Sequence, residues 1–76
     1  MNDSRKNHLE AASKLISQAM DLIKDLGDEE QEAFDNLPQG LKDAEQGENI
    51  STTITILDST VGALEEALSG IDDALA

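Results

Sequence analysis

Eight branched aliphatic residues, Ile50, Ile54, Leu57, Val61, Leu64, Leu68, Ile71 and Leu75, follow one another at spacings of 4, 3, 4, 3, 4, 3 and 4. Such an alternation returns an apolar side chain to one side of an α-helix at every turn, and the two-residue period of a strand does not produce it. The spacing predicts a helix from about 48 to 75 whose seam needs a second rod to cover it. One stretch pulls the other way. Ser51-Thr52-Thr53-Ile54-Thr55-Ile56 is β-branched and partly alternating, which reads as a strand on propensity alone. Helix is preferred because the heptad phase passes through unbroken and no second strand exists to pair with it.

The second rod is at the other end of the chain. Leu9, Ala12, Ile16, Ala19, Ile23 and Leu26 are spaced 3, 4, 3, 4 and 3, predicting a helix over 4–26. Asp3 or Ser4 can cap its start, and Gly27 suits the left-handed position that ends a helix. Leu15 and Leu22 fall at g positions and Met20 at e, so the apolar face is wider than one seam requires and calls for a further neighbour. Between the rods, Asp28 with Gln31 resembles a capping-box start, and Glu29, Glu30 and Glu32 lie where a helix dipole favours anions. Ala33, Phe34 and Leu37 form an apolar side, and Pro38 ends it, giving a short helix over 29–37. Residues 38–47 read as a loop around Pro38, Gly40 and Gly47, with room for one turn of helix anchored by Leu41.

These elements make one all-α domain over 1–76: a hairpin of two long heptad-patterned helices with a short middle helix. At ~1.5 Å per residue the seams span about 27 and 39 Å. The longer arm then overhangs, the middle helix is expected to lie over the surplus as a lid, and Phe34 to plug that end. The connection is long enough to return along the bundle, so parallel packing of the rods stays open beside antiparallel.

Composition removes several function classes. No cysteine is present, so neither a disulfide nor a thiolate metal site can form. The single histidine, His8, lacks the partners that acid–base, nucleophilic or zinc chemistry requires, and its bland reading is an exposed bystander. Asp28-Glu29-Glu30-Gln31-Glu32 lacks the alternating ligands and central glycine of a calcium loop. Phe34 is the only aromatic residue and no glycine-rich phosphate loop occurs, which disfavours a nucleotide pocket. No enzyme activity, metal or cofactor is expected. Neither a signal sequence nor a membrane span is recognisable, so a soluble cytoplasmic protein is the expectation.

The net charge is −12, unevenly placed: Asp43 to Ala76 holds eight acids and no base. That disfavours direct binding to nucleic acid or an anionic membrane and favours a basic protein partner. The candidate partner-binding residues are Asp58, Glu65, Glu66, Asp72 and Asp73 along the last helix, with Asp28, Glu29, Glu30, Glu32 and Asp35 near the lid. The plainer reading is that these acids only keep a small protein dispersed. Ile56, Gly62, Ala63, Ala67 and Gly70 form a small-residue side of the same helix. Glycine inside a helix costs about 1 kcal/mol against alanine, so close approach of another helix is one reason for Gly62 and Gly70. With Leu15 and Leu22 this side suggests a homodimer, a bundle of four long helices. Glycines tolerated on a monomer are the alternative.

The segment Asp28-Glu29-Glu30-Gln31-Glu32-Ala33-Phe34-Asp35-Asn36-Leu37-Pro38, followed by Gly40-Leu41 and a long acidic helix, resembles small acidic proteins of bacteriophages and prophages over residues 20–76. The Thr-rich stretch 51–55 departs from that pattern. The resemblance implies an accessory viral product in a bacterial cytoplasm, of a kind that binds host machinery such as nucleases and defence proteins. No residue role carries over from it. Three functions follow for testing: a host-protein inhibitor that mimics nucleic-acid charge with its carboxylates, a coiled-coil assembly adaptor whose charge serves solubility, and an oligomer that sequesters a small signalling molecule through Arg5, Lys6 or Lys14.

Overall fold

The computed structural model describes residues 1–76 and contains three helices and no strand: α1 (Asp3–Asp35), α2 (Gln39–Lys42) and α3 (Glu45–Leu75). The two long helices pack against each other, and the single-turn α2 packs on α3 at the corner. The molecule is a rod of 58 × 14 × 13 Å. At 33 and 31 residues, α1 and α3 are about 50 and 47 Å long. The connection from Asn36 to Ala44 reaches ~30 Å even fully extended, too short to return along either helix. The long helices are therefore antiparallel. No helix is long and apolar enough to cross a membrane.

The α3 seam is occupied as its spacing requires: Ile50, Ile54, Leu57, Val61, Leu64, Leu68, Ile71 and Leu75 are all half-buried. The β-branched stretch is helical throughout. Its threonines resolve their conflict with the helix by donating hydroxyl hydrogen bonds one turn back: Thr53 to the Asn49 carbonyl at 3.0 Å and Thr55 to that of Ser51 at 3.1 Å.

The α1 half differs from expectation in three ways. The cap is Asn2, whose Oδ1 accepts the Arg5 amide at 2.8 Å, not Asp3 or Ser4. The expected break at Gly27 is absent, because Gly27 has no positive φ and Asp28 stands mid-helix rather than at a cap. No separate helix over 29–37 exists; that segment is the last part of α1, and the short middle helix is α2. The seam explains the continuity. Leu9, Ala12, Ile16, Ala19 and Ile23 are half-buried, and so are Gly27, Glu30, Phe34 and Leu37, whereas Leu26 is 52% exposed. After Ile23 the pattern steps by four to Gly27 instead of by three to Leu26, a stutter that shifts the contact line while the helix runs on. A mid-helix glycine costs about 1 kcal/mol, which partial burial of the two apolar side chains further along, Phe34 and Leu37, offsets. With α1 and α3 nearly equal, no arm overhangs at the corner.

α1 stops where Pro38 forces it to. Leu37, the residue before proline, is disfavoured in the helical region, and its amide donates to the Phe34 carbonyl at 3.1 Å to close the last turn. Leu41 and Lys42 amides then donate to the Pro38 carbonyl at 2.9 and 3.1 Å, forming α2. Lys42 Nζ sits 5.7 Å from the centroid of the half-buried Phe34 ring, fastening the corner to the end of α1. α3 begins at Glu45, earlier than expected, and Gly47, assigned to a loop by its type, lies in the first turn as the one buried residue.

Candidate protein-binding surfaces

A pair of helices in contact covers one line on each and leaves two flanks and a back on both. Which flanks share a side is settled by a notch of about 150 Å³ beside the seam, lined from α1 by Ile23, Lys24, Gly27, Asp28 and Gln31 and from α3 by Ile54, Leu57, Asp58 and Val61. The missing side chain of Gly27 helps open it. Lys24, Asp28 and Gln31 thus lie on the same side of the hairpin as Asp58. The opposite flanks of the two helices necessarily share the other side.

On the Asp58 side, α3 repeats an acid every seven residues at Asp58, Glu65 and Asp72, all exposed. Seven residues advance a helix by ~10.5 Å. Counting in opposite directions from Gly27 and Leu57 puts Asp28 near the level of Asp58, Asp21 near Glu65 and Glu10 near Asp72. At ~100° per residue, Glu10, Asp21, Asp28 and Asp35 share one flank of α1. The result is a double row of carboxylates along one edge, broken by Lys24. Glu66 and Asp73 stand on the adjoining back of α3, while Glu29 and Glu32 project from the back of α1, all exposed. Gln31 donates through Nε2 to Asp35 Oδ1 at 3.0 Å.

One of the acids chosen from the sequence is turned away from solvent. Glu30 is half-buried on the α1 seam, turned toward α3. Glu10 and Asp21, unselected from sequence, belong to the edge. A helical wheel of α1 continued through Gly27 would have found both; the expected break concealed their phase relation to Asp28 and Asp35.

The other side is unlike the first. From α1 it carries Leu15, Leu22 and Leu26, exposed by 67, 65 and 52%, and from α3 Ile56, exposed by 58%. Thr60, Ala63, Ala67 and Gly70 continue the α3 row, and Thr60 turns its hydroxyl inward, donating to the Ile56 carbonyl at 2.8 Å. No carboxylate interrupts these two rows between Leu15 and Leu26 or between Ile56 and Gly70. The further neighbour that Leu15 and Leu22 call for is not present within the chain. Gly62 stands apart from the group, since one residue past the seam position Val61 places it on the Asp58 flank. A β-carbon at Gly62 or Gly70 would meet nothing within 4 Å.

The bases do not converge. Arg5 lines a shallow open groove of about 330 Å³ with Met1, His8, Leu9 and Ala12, whereas Lys6 and Lys14 are absent from it. His8 is exposed, and no group of three or more His, Asp or Glu side chains is placed to hold a metal ion. Compared with known proteins, the chain matches no family model, no curated relative and no solved structure.

Proposed function

We propose that this chain is an interaction protein without catalytic activity, presenting the carboxylates of its Asp58 edge to a basic surface of a partner protein. The double row on two antiparallel helices carries this reading, because it brings acids from both rods to one edge of the hairpin. A strip of like charge focuses a field that attracts a basic, nucleic-acid-binding surface and repels nucleic acid itself. The resemblance of residues 28–38 to small acidic phage proteins supports seeking the partner among host proteins of a bacterial cytoplasm, inhibited by mimicry of nucleic-acid charge. Affinity capture from bacterial lysate, with and without added nucleic acid, tests it. Capture of a basic protein that nucleic acid displaces supports the reading, and its survival after Glu65, Glu66, Asp72 and Asp73 are all changed to Lys refutes charge mimicry.

A second reading, an assembly module in which two hairpins form a homodimeric four-helix bundle, is favoured by the exposed Leu15, Leu22, Leu26 and Ile56. It is compatible with the first, since it uses the opposite side. Sedimentation at micromolar concentration separates the 8.1 kDa chain from its dimer.

A further inference from the structure

The hairpin exposes 5374 Å² and buries no hydrophobic residue. A compact monomer of its 8.1 kDa mass is expected to expose about 4,500 Å². The surplus, near 900 Å², is the size of one partner's share of a standard protein interface, about 800 Å². One broad side of the rod, 58 by 14 Å, offers an area of that order. The occupant is constrained by charge. Another copy also carries −12, and the leucine side is where two such copies meet without opposing carboxylates.

We infer that a second copy covers the leucine side about a two-fold axis near Ala63, with the corners at opposite ends and each Ile56 seated over the other copy's Gly70. This rests on the homodimer reading and adds its geometry. Two face-to-face hairpins related by a two-fold have two choices. With corners at the same end, each α1 lies on the other's α3; with corners at opposite ends, α1 lies on α1 and α3 on α3. Residues 28–48, at the corner, carry eight acids (Asp28, Glu29, Glu30, Glu32, Asp35, Asp43, Glu45 and Glu48) against Lys42 alone, while three of the five bases, Arg5, Lys6 and Lys14, lie toward the open end. Corners together would crowd sixteen acids. Corners apart set each acidic corner level with the other copy's bases.

The side chains agree with that choice. In an antiparallel α3 pair centred on Ala63, Ile56 and Gly70 are each seven residues from the centre and so oppose one another. The bulkiest exposed side chain of the α3 row then meets a position with open space where a β-carbon would be. On α1 the same axis brings Leu15 beside the other copy's Leu26 and places Leu22 near the centre.

Ala63→Cys tests the geometry in a chain with no other cysteine. A disulfide needs β-carbons about 3.8 Å apart, which a residue near the axis meets and the same-end arrangement forbids. Sedimentation of the reduced protein reads the dimer itself. The expected result is a dimer at micromolar concentration that mild oxidation converts to covalent dimer through Cys at 63, while Ser59→Cys, on the outward back, remains largely unlinked. Gly70→Leu should raise the dimer dissociation constant at least tenfold, and the exchange Ile56→Gly with Gly70→Ile should recover most of the loss. A reduced chain that sediments at 8.1 kDa overturns the homodimer reading and this inference together. A dimer in which 63 does not link, or in which the exchange fails to rescue, overturns the two-fold geometry alone.

Discussion

The carbonyl oxygen of Leu41 lies over Gly47, so near that a β-carbon at 47 would stand 2.7 Å from it, with the Lys42 carbonyl closer still. Backbone, not a flexible side chain, occupies the space, so the one-turn α2 can seat on the first turn of α3 only where α3 has no side chain. Gly47→Ala is therefore expected to destabilise the hairpin by ~1–3 kcal/mol, the range for forced overpacking. Urea denaturation followed by circular dichroism reads it, and an unchanged midpoint would show that the corner does not close on Gly47.

The opposite sign is expected at Gly27. It is helical, and nothing lies within 4 Å of a β-carbon there. Gly27→Ala should stabilise the protein by about 1 kcal/mol through helix propensity. Were 27 a left-handed helix end, alanine would destabilise instead, so the same urea titration decides whether α1 is continuous.

Glu30 occupies a half-buried seam position between Gly27 and Phe34. Glu30→Leu replaces a carboxylate turned toward α3 with apolar surface and should raise stability by ~1–2 kcal/mol. A fall in the denaturation midpoint would place Glu30 on the acidic edge instead.

Phe34 is half-buried at the corner with Lys42 Nζ over its ring. Phe34→Leu should lower stability by ~0.5–1 kcal/mol, the size of a partly solvated cation–π contact, and Lys42→Met in that background should add little. Additive losses in the double-mutant cycle would mean the two residues act separately.

With −12 on one chain and acids in paired rows, self-repulsion opposes the folded rod. Raising sodium chloride from 10 mM to 500 mM is expected to raise the melting temperature measurably, since the ~30 Å Debye length at 10 mM falls below the rod's ~10 Å carboxylate spacing. A midpoint that drops with salt would mean net attraction among the charges.

The eight residues Ile50 to Leu75 made α3 legible almost completely, because an unbroken heptad phase outweighs the local strand propensity of the threonines. α1 was legible only to Leu26. The step from Ile23 to Gly27 breaks the 3–4 alternation, and a glycine followed by Asp28 and three glutamates imitates a helix end followed by a new start. What carries the helix through is Phe34 and Leu37, whose phase fits only after the stutter is known. The same hidden phase explains the candidate surfaces. Asp58, Glu65 and Asp72 could be aligned from α3 alone, but their facing by Asp21 and Asp28 requires the register between helices. Likewise Leu26 looked like seam and Glu30 like surface, and the shift of one residue exchanges their roles. Gly47 gave no warning in sequence, since its need arises from a carbonyl on α2.

The antiparallel closure of α1 on α3 underlies both surfaces, and the distance between spin labels at Asn7→Cys and Asp73→Cys measures it directly, with labelled protein diluted into unlabelled chain to suppress distances between copies. In the hairpin the two positions are about one helix turn apart in level on helices ~10 Å apart, so a distance under about 25 Å is expected. A dominant distance above about 35 Å would contradict the closure.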